Sequence, residues 1–295
     1  MDSPRKSPPG SGFIQSVPYR SQMEAYGSTC FIKPVRPGIV VKEPIQFKQQ
    51  GLADKVTRSF SVEPLILERL GRHPRIVKYH GLCERGILLG EATHGDLQTY
   101  IDDNPSITPD QRLEWCRQAA EAIAYIHKCG IVHSDLRPKN FLVHETRKGS
   151  LDLLLCDFGG ATCAELDLDG GCLPDGPFYN PVFGIESVPA LDIFGLGSLF
   201  YTIVTGHWPY RSSTHPFSTI DEKIRYEREV QGRIKEKTFP DVASLLGGDV
   251  MLGCWMMKFT SADEVLNALD RAGRVSNLVD GPSHSAQQIL IASRS

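Results

Sequence analysis

Between His133 and Asn140 the chain reads His-Ser-Asp-Leu-Arg-Pro-Lys-Asn, and seventeen residues beyond Asn140 it reaches Asp157-Phe158-Gly159. Each motif follows a short apolar run with the pattern of a buried strand: Ile131 to His133 before the first, Leu151 to Cys156 before the second, with Phe141 to Val143 between them. Taken singly, a His-x-Asp is weak and an Asp-Phe-Gly is often only a turn. Both in this order, each at a strand end, leave little room for chance.

The flanking halves differ in pattern. From Gln22 to Glu91 the chain is mostly short β-type runs broken by Gly and Pro. Cys30 to Ile32 and Gly38 to Lys42 predict strands around a turn at Pro34 to Pro37, and Ile76 to Tyr79 and Ile87 to Leu89 predict two more. Ser61 to Leu70 predicts one helix, with Glu63 and Pro64 in its first turn and Gly71 closing it. From Gly95 onward the pattern is helical. Thr108, Pro109 and Gln111 form a capping box ahead of Leu113, Cys116, Ala120, Ile123, Ala124 and His127, and Gly130 ends the run. Leu191 to Thr205 is apolar on nearly every face and predicts a core helix closed by Gly206; a last helix is expected from about Ala262 to Asp270.

The whole is therefore expected to be an α+β chain of two lobes, a small β-rich N-lobe with one helix and a larger, mainly helical C-lobe. Residues 1–21 and 273–295, rich in Ser, Pro, Gly and Gln, are expected to be a disordered lead-in and a loose tail. The domain between them runs from 22 to 272, its lobes meeting at about 92 and 93.

Composition excludes several classes. A formal net charge of −3 in 295 residues gives no basic field for nucleic acid or a membrane surface. The longest apolar stretch, Ile193 to Val204, is too short to span a bilayer. Eight cysteines without a C-x-x-C pair or zinc-like His spacing predict reduced thiols in a cytoplasmic or nuclear protein.

The two motifs resemble those of the protein-kinase family, and Leu191-Asp192-Ile193-Phe194-Gly195 with Thr205-Gly206-His207-Trp208-Pro209 extends the resemblance beyond the small-molecule phosphotransferases that share a related loop. Cys254-Trp255 and Ser261 to Leu266 carry it to the last helix, so it spans roughly Gln22 to Ala272. The chain also resembles a group of small, divergent kinase-like proteins of filamentous fungi. Phosphoryl transfer needs metal to bridge the phosphates and a carboxylate aimed at the attacking hydroxyl. The resemblance implies ATP and Mg²⁺ as cofactors, with Asp135 as base, Asn140 and Asp157 as metal ligands, Arg137 beside the transferred phosphate, and Asp192 holding the catalytic loop from below. A buried charge in that last role must be hydrogen-bonded.

On the nucleotide side, Gly38-Ile39-Val40-Val41-Lys42 resembles the strand that presents a lysine to the α- and β-phosphates. Glu63 is the preferred partner for Lys42 and Glu68 the competing one. The hinge is expected at Leu89 to Thr93, with Leu89 limiting the adenine pocket and Glu91 and Ala92 lining it. Gly27 is the one glycine where the family has three, so phosphate cover is looser.

Other departures concern regulation. Ser134 stands where the family has an arginine, Arg137 where it has a lysine, and no A-P-E can be placed before Asp192. Glu186 falls six residues ahead of Asp192, and no arginine suited to pair with it follows Trp255. Ser134 has a hydroxyl and no positive charge, so it cannot supply the charge pairing to an added phosphate. Thr162 and Tyr179 lie among Glu165, Asp167, Asp169 and Asp175, which would repel one. The favoured reading is a serine/threonine protein kinase acting on a protein substrate. The alternative is a pseudokinase that keeps the fold as a nucleotide-binding or scaffold module.

Overall fold

The computed structural model describes residues 25–26, 29–211 and 217–279. The lead-in expected at 1–21, the Gly27 cover and residues 280–295 of the expected tail lie outside them.

The N-terminal lobe is an antiparallel sheet in the order β1-β2-β3-β5-β4, built from β1 (Ala25–Tyr26), β2 (Cys30–Arg36), β3 (Ile39–Pro44), β4 (Tyr79–Cys83) and β5 (Gly86–Gly90). β2 runs through Pro34, which pairs with Val40, and the turn is at Pro37 and Gly38. The turn expected at Pro34 to Pro37 is therefore shorter and later. β1 pairs only with Phe31 and Ile32, so no ladder bond is asked of the missing Pro34 N–H on that side. The strand expected at Ile76 also begins later: Ile76 makes a single parallel bridge to Leu155, and pairing with β5 starts at Tyr79.

The lobe's helix, α1 (Gln50–Leu70), begins eleven residues before the expected Ser61 and carries Pro64 in its interior. Val56, Val62, Ile66, Leu67 and Leu70 are buried along it. That apolar face, continued past the proline, offsets the one helical hydrogen bond that proline removes.

Below the sheet lie α2 (Leu97–Asp103), α3 (Pro109–Lys128), α4 (Pro189–Thr205), α5 (Ile220–Lys235), α6 (Gly248–Trp255) and α7 (Ala262–Val279). Two small hairpins join them: β6 (Phe141–Arg147) with β7 (Ser150–Leu155), and β8 (Thr162–Cys163) with β9 (Leu168–Asp169). Thr108 caps α3 by accepting the Gln111 N–H at 3.2 Å; the Gln111 side chain donates to Leu151 O at 3.0 Å instead of closing the capping box. α4 is the core helix. Gly197 is required in it, because a Cβ there would sit 2.9 Å from Trp255 and 3.0 Å from Cys254 of α6.

The last helix passes the expected end at Asp270 and runs through Gly273, where the tail was expected to begin. A Cβ at Gly273 would make only ordinary contact with Leu113 of α3 at 3.5 Å, so this glycine does not interrupt α7. Among the described residues no helix is long and apolar enough to cross a membrane. All eight cysteines are unpaired.

Candidate active site

β3 carries Lys42 into the cleft between the lobes, where only 4% of it is exposed. Its Nζ lies 2.6 Å from Glu63 Oε2 of α1 and 2.6 Å from Asp157 Oδ1. The structure thus places Glu63 on Lys42 and leaves Glu68 exposed. Glu63 is fully buried, and its second oxygen accepts the Phe158 N–H at 3.3 Å. Burial alone would lower the Lys42 pKa, but Asp157 and Glu63 hold it well above its ordinary value. Burial raises the Glu63 carboxyl against the pull of Lys42, whereas Lys42 draws Asp157 below the usual carboxylate range.

Asp157 sits in the left-handed region at φ 63°, a conformation an Asp tolerates better than a bulky residue. Phe158 packs edge-on to the ring of His133 at 5.2 Å, and His133 Nε2 lies 3.0 Å from Cys156 O. Gly159 abuts Ser59 of α1; a Cβ would come within 1.8 Å of its Oγ. The first half of α1, absent from the sequence reading, is what supports this turn.

The catalytic loop is held from beneath. Asp192 of α4 is 1% exposed and accepts from His133 N at 2.8 Å and Ser134 N at 3.0 Å, with His127 Nε2 also at 3.0 Å. Above it, both oxygens of Asp135 are engaged. Arg137 Nε donates to Oδ1 at 2.9 Å with Nη2 on the same oxygen, and Asn140 Nδ2 reaches Oδ2 at 3.3 Å and Asp135 O at 2.7 Å. Burial raises the Asp135 pKa, and Arg137 opposes the rise.

The hinge divides its groups. Leu89 is buried; Glu91 N donates to Gly38 O at 3.0 Å and its carboxylate accepts Gly38 N at 3.1 Å, bracing the β2–β3 turn. The backbone N–H and C=O of the following residue, Ala92, bond to nothing among the described residues. Those two groups are therefore open to a ligand.

Between Asp157 and α4 the segment is pinned at several points. The hydroxyls of Ser134 and Ser187 are bonded to each other, Thr162 Oγ1 joins Ser187 Oγ at 2.9 Å, and Tyr179 donates to Gly184 O at 2.6 Å. Glu165 pairs with Arg69 of α1. The acid residues expected to act as free repelling charges are thus partly neutralised. Glu186 is exposed, and Ser198 of α4 supplies the anchor instead: its hydroxyl donates to Pro177 O and accepts from Trp255 Nε1 at 2.9 Å. The sequence reading named neither Ser187 nor Ser198 as a contact, although Ser198 falls inside the core-helix pattern.

A family model described as "Protein kinase domain" matches residues 39–269, and the chain belongs to that family. The curated relatives include the serine/threonine-protein kinase PkaA of Streptomyces coelicolor, 30% identical over 217 residues, or 70% of this chain and 39% of that one. The serine/threonine-protein kinase SBK2 of Rattus norvegicus is 31% identical over 57% of this chain and 49% of its own, and the dual specificity protein kinase Ttk of Danio rerio is 30% identical over 57% and 17%. The chain spans less than half the length of each.

Protein kinases generally use ATP and Mg²⁺. Among the described residues no cluster of three or more His, Cys, Asp or Glu is placed to hold a metal. Asp157 has Oδ2 free of hydrogen bonds and a side chain 46% exposed, and Asn140 spends its amide N–H groups on Asp135, leaving its oxygen. Two oxygen donors suit a Mg²⁺ that keeps waters and takes further ligands from phosphates.

Proposed function

We propose that this chain is an active serine/threonine protein kinase that passes the γ-phosphate of ATP to a hydroxyl of a protein substrate. The observation that carries the reading is Lys42 bound at 2.6 Å to both Glu63 and Asp157. Mg²⁺-ATP, when bound, supplies the phosphorus to be attacked and screens the charge on its oxygens. Lys42, fixed by Glu63, would meet the ATP phosphates, and Asp157 and Asn140 would hold Mg²⁺. Ala92 offers its free backbone groups to adenine, and Leu89 closes the pocket behind. The 3.3 Å contact from Asn140 is the longest on the Asp135 carboxylate. A substrate hydroxyl takes its place on Oδ2, where Asp135 orients it and accepts its proton. Arg137, always charged, stands ready for the transferred phosphate.

The same reading places the protein inside the cell, cytoplasmic or nuclear, since all eight thiols are unpaired. It also keeps the resemblance of the whole chain to the small, divergent kinase-like proteins of filamentous fungi.

The test is transfer from radiolabelled ATP to a generic protein substrate, with and without Mg²⁺. Transfer that needs Mg²⁺ and is lost in Asp157→Ala supports the reading. Nucleotide binding without transfer would make the chain a pseudokinase.

A further inference from the structure

Asp175 lies between cations from two other elements. Its Oδ1 is 3.2 Å from Arg137 Nη1 in the catalytic loop, and its Oδ2 accepts from Lys223 Nζ of α5 at 3.1 Å. Lys223 also meets Glu227, one turn along α5, at 3.3 Å. The opposite edge of Arg137, Nε and Nη2, is on Asp135. One guanidinium is thus held at two edges by carboxylates, and one of them is the proposed base. Fixing an arginine side chain costs rotamer entropy, so a second partner decides whether it stays in place.

The pairing is poorly suited to a merely stabilising role. Asp175 Oδ1 is buried without an aligned hydrogen-bond donor, so it gains attraction to Arg137 without a full bond. Such a contact contributes little to stability and much to where Arg137 points. Ser134 of the loop carries no charge to supply this placement, and the Thr162 and Tyr179 hydroxyls of the segment are already engaged.

We propose that Asp175 is a positioning residue: it holds Arg137 in register with Asp135 and, through Lys223, clamps the segment between the catalytic loop and α5. The clamp is made of resident side chains and needs no added phosphate. It rests on the kinase reading given above, in which Asp135 and Arg137 act on the hydroxyl and the phosphate.

The experiment compares Asp175→Asn with Asp175→Glu in steady-state kinetics on the full chain, alongside hydrogen exchange of the amides of residues 170–180. The expected result is a fall of about tenfold in kcat for Asp175→Asn with KM for ATP little changed, and recovery of most of that loss by Asp175→Glu, since misplacement costs rate without costing nucleotide binding. Exchange across 170–180 should quicken in Asp175→Asn and in Lys223→Met. Wild-type kcat in Asp175→Asn, or equal losses in the Asn and Glu variants, would overturn the proposal. If the wild type transfers no phosphate, the kinase reading falls, and exchange alone judges the clamp: quickened exchange upholds it and unchanged exchange ends it.

Discussion

Ser134 donates its backbone N–H to Asp192 at 3.0 Å from the left-handed region, at φ 64°. A serine gains nothing from that conformation alone; such strain costs on the order of 1–3 kcal/mol and persists only where surrounding bonds impose it. Here three donors converge on one buried carboxylate. Asp192→Asn removes the charge and leaves a single acceptor oxygen for them. Urea denaturation should show a loss of about 1–3 kcal/mol, with kcat falling further than ATP affinity. Unchanged stability would mean that the loop is held by other contacts.

Lys42 and Glu63 form a buried pair, so removing one partner strands the other. Lys42→Met should abolish transfer and destabilise the fold by about 3 kcal/mol, the cost of an orphaned buried carboxylate. Adding Glu63→Gln should restore part of the stability and none of the activity. Denaturation midpoints of the two variants decide the point; a double variant no more stable than Lys42→Met contradicts it.

Asp135→Asn keeps the shape of the side chain and removes the acceptor for the hydroxyl proton. Turnover should fall by a factor of about 10²–10⁴, while calorimetric ATP affinity stays nearly the same. A variant with wild-type turnover would remove Asp135 from the role of base.

Because the Thr162 and Tyr179 hydroxyls are already bonded, phosphatase treatment should leave turnover within about twofold, as should Tyr179→Phe. The comparison is wild type, Thr162→Ala and Tyr179→Phe before and after phosphatase. A several-fold loss confined to treated wild type would reveal a phosphorylation switch.

Acid stability should trace in part to Asp152. Burial would raise its pKa, but Thr146, Gln118 and Arg75 hold it below the ordinary value of 3.8. A lowered folded-state pKa contributes stability above the unfolded value, lost as pH falls through the folded one. Asp152→Asn should therefore cost about 1 kcal/mol at pH 7, and the gap to wild type should close below about pH 4. A gap constant from pH 7 to pH 3 would show that the carboxylate charge is not what matters.

The sequence made the catalytic loop, Asp157 and the core helix legible because each is local: a strand end, a turn and an unbroken apolar run. The first half of α1 was not legible, since Pro64 reads as a helix start and the Leu52, Val56, Phe60 spacing before it is interrupted by polar residues. α5 was missed for a different reason. It is charged on most faces and buries only Tyr226, Val230 and Ile234, a stripe too thin to stand out. The contacts of Asp175 with Arg137 and Lys223 join residues far apart in sequence, and no pattern of spacing reveals them before the chain is folded.

The segment ahead of α4 is moored in two chemically different ways. At Asp175 the hold is ionic, and its outer contact, with Lys223, is partly open to water, so dissolved ions weaken that contact, since charges at the surface are screened over about 8–10 Å at ordinary ionic strength. At Pro177, two residues on, the hold is the neutral hydroxyl of Ser198 backed by the indole of Trp255, buried beyond the reach of salt. Rising salt should therefore loosen the segment's hold on α5 at Lys223 while the end against α4 stays fixed, turning the segment into a flap with one hinge.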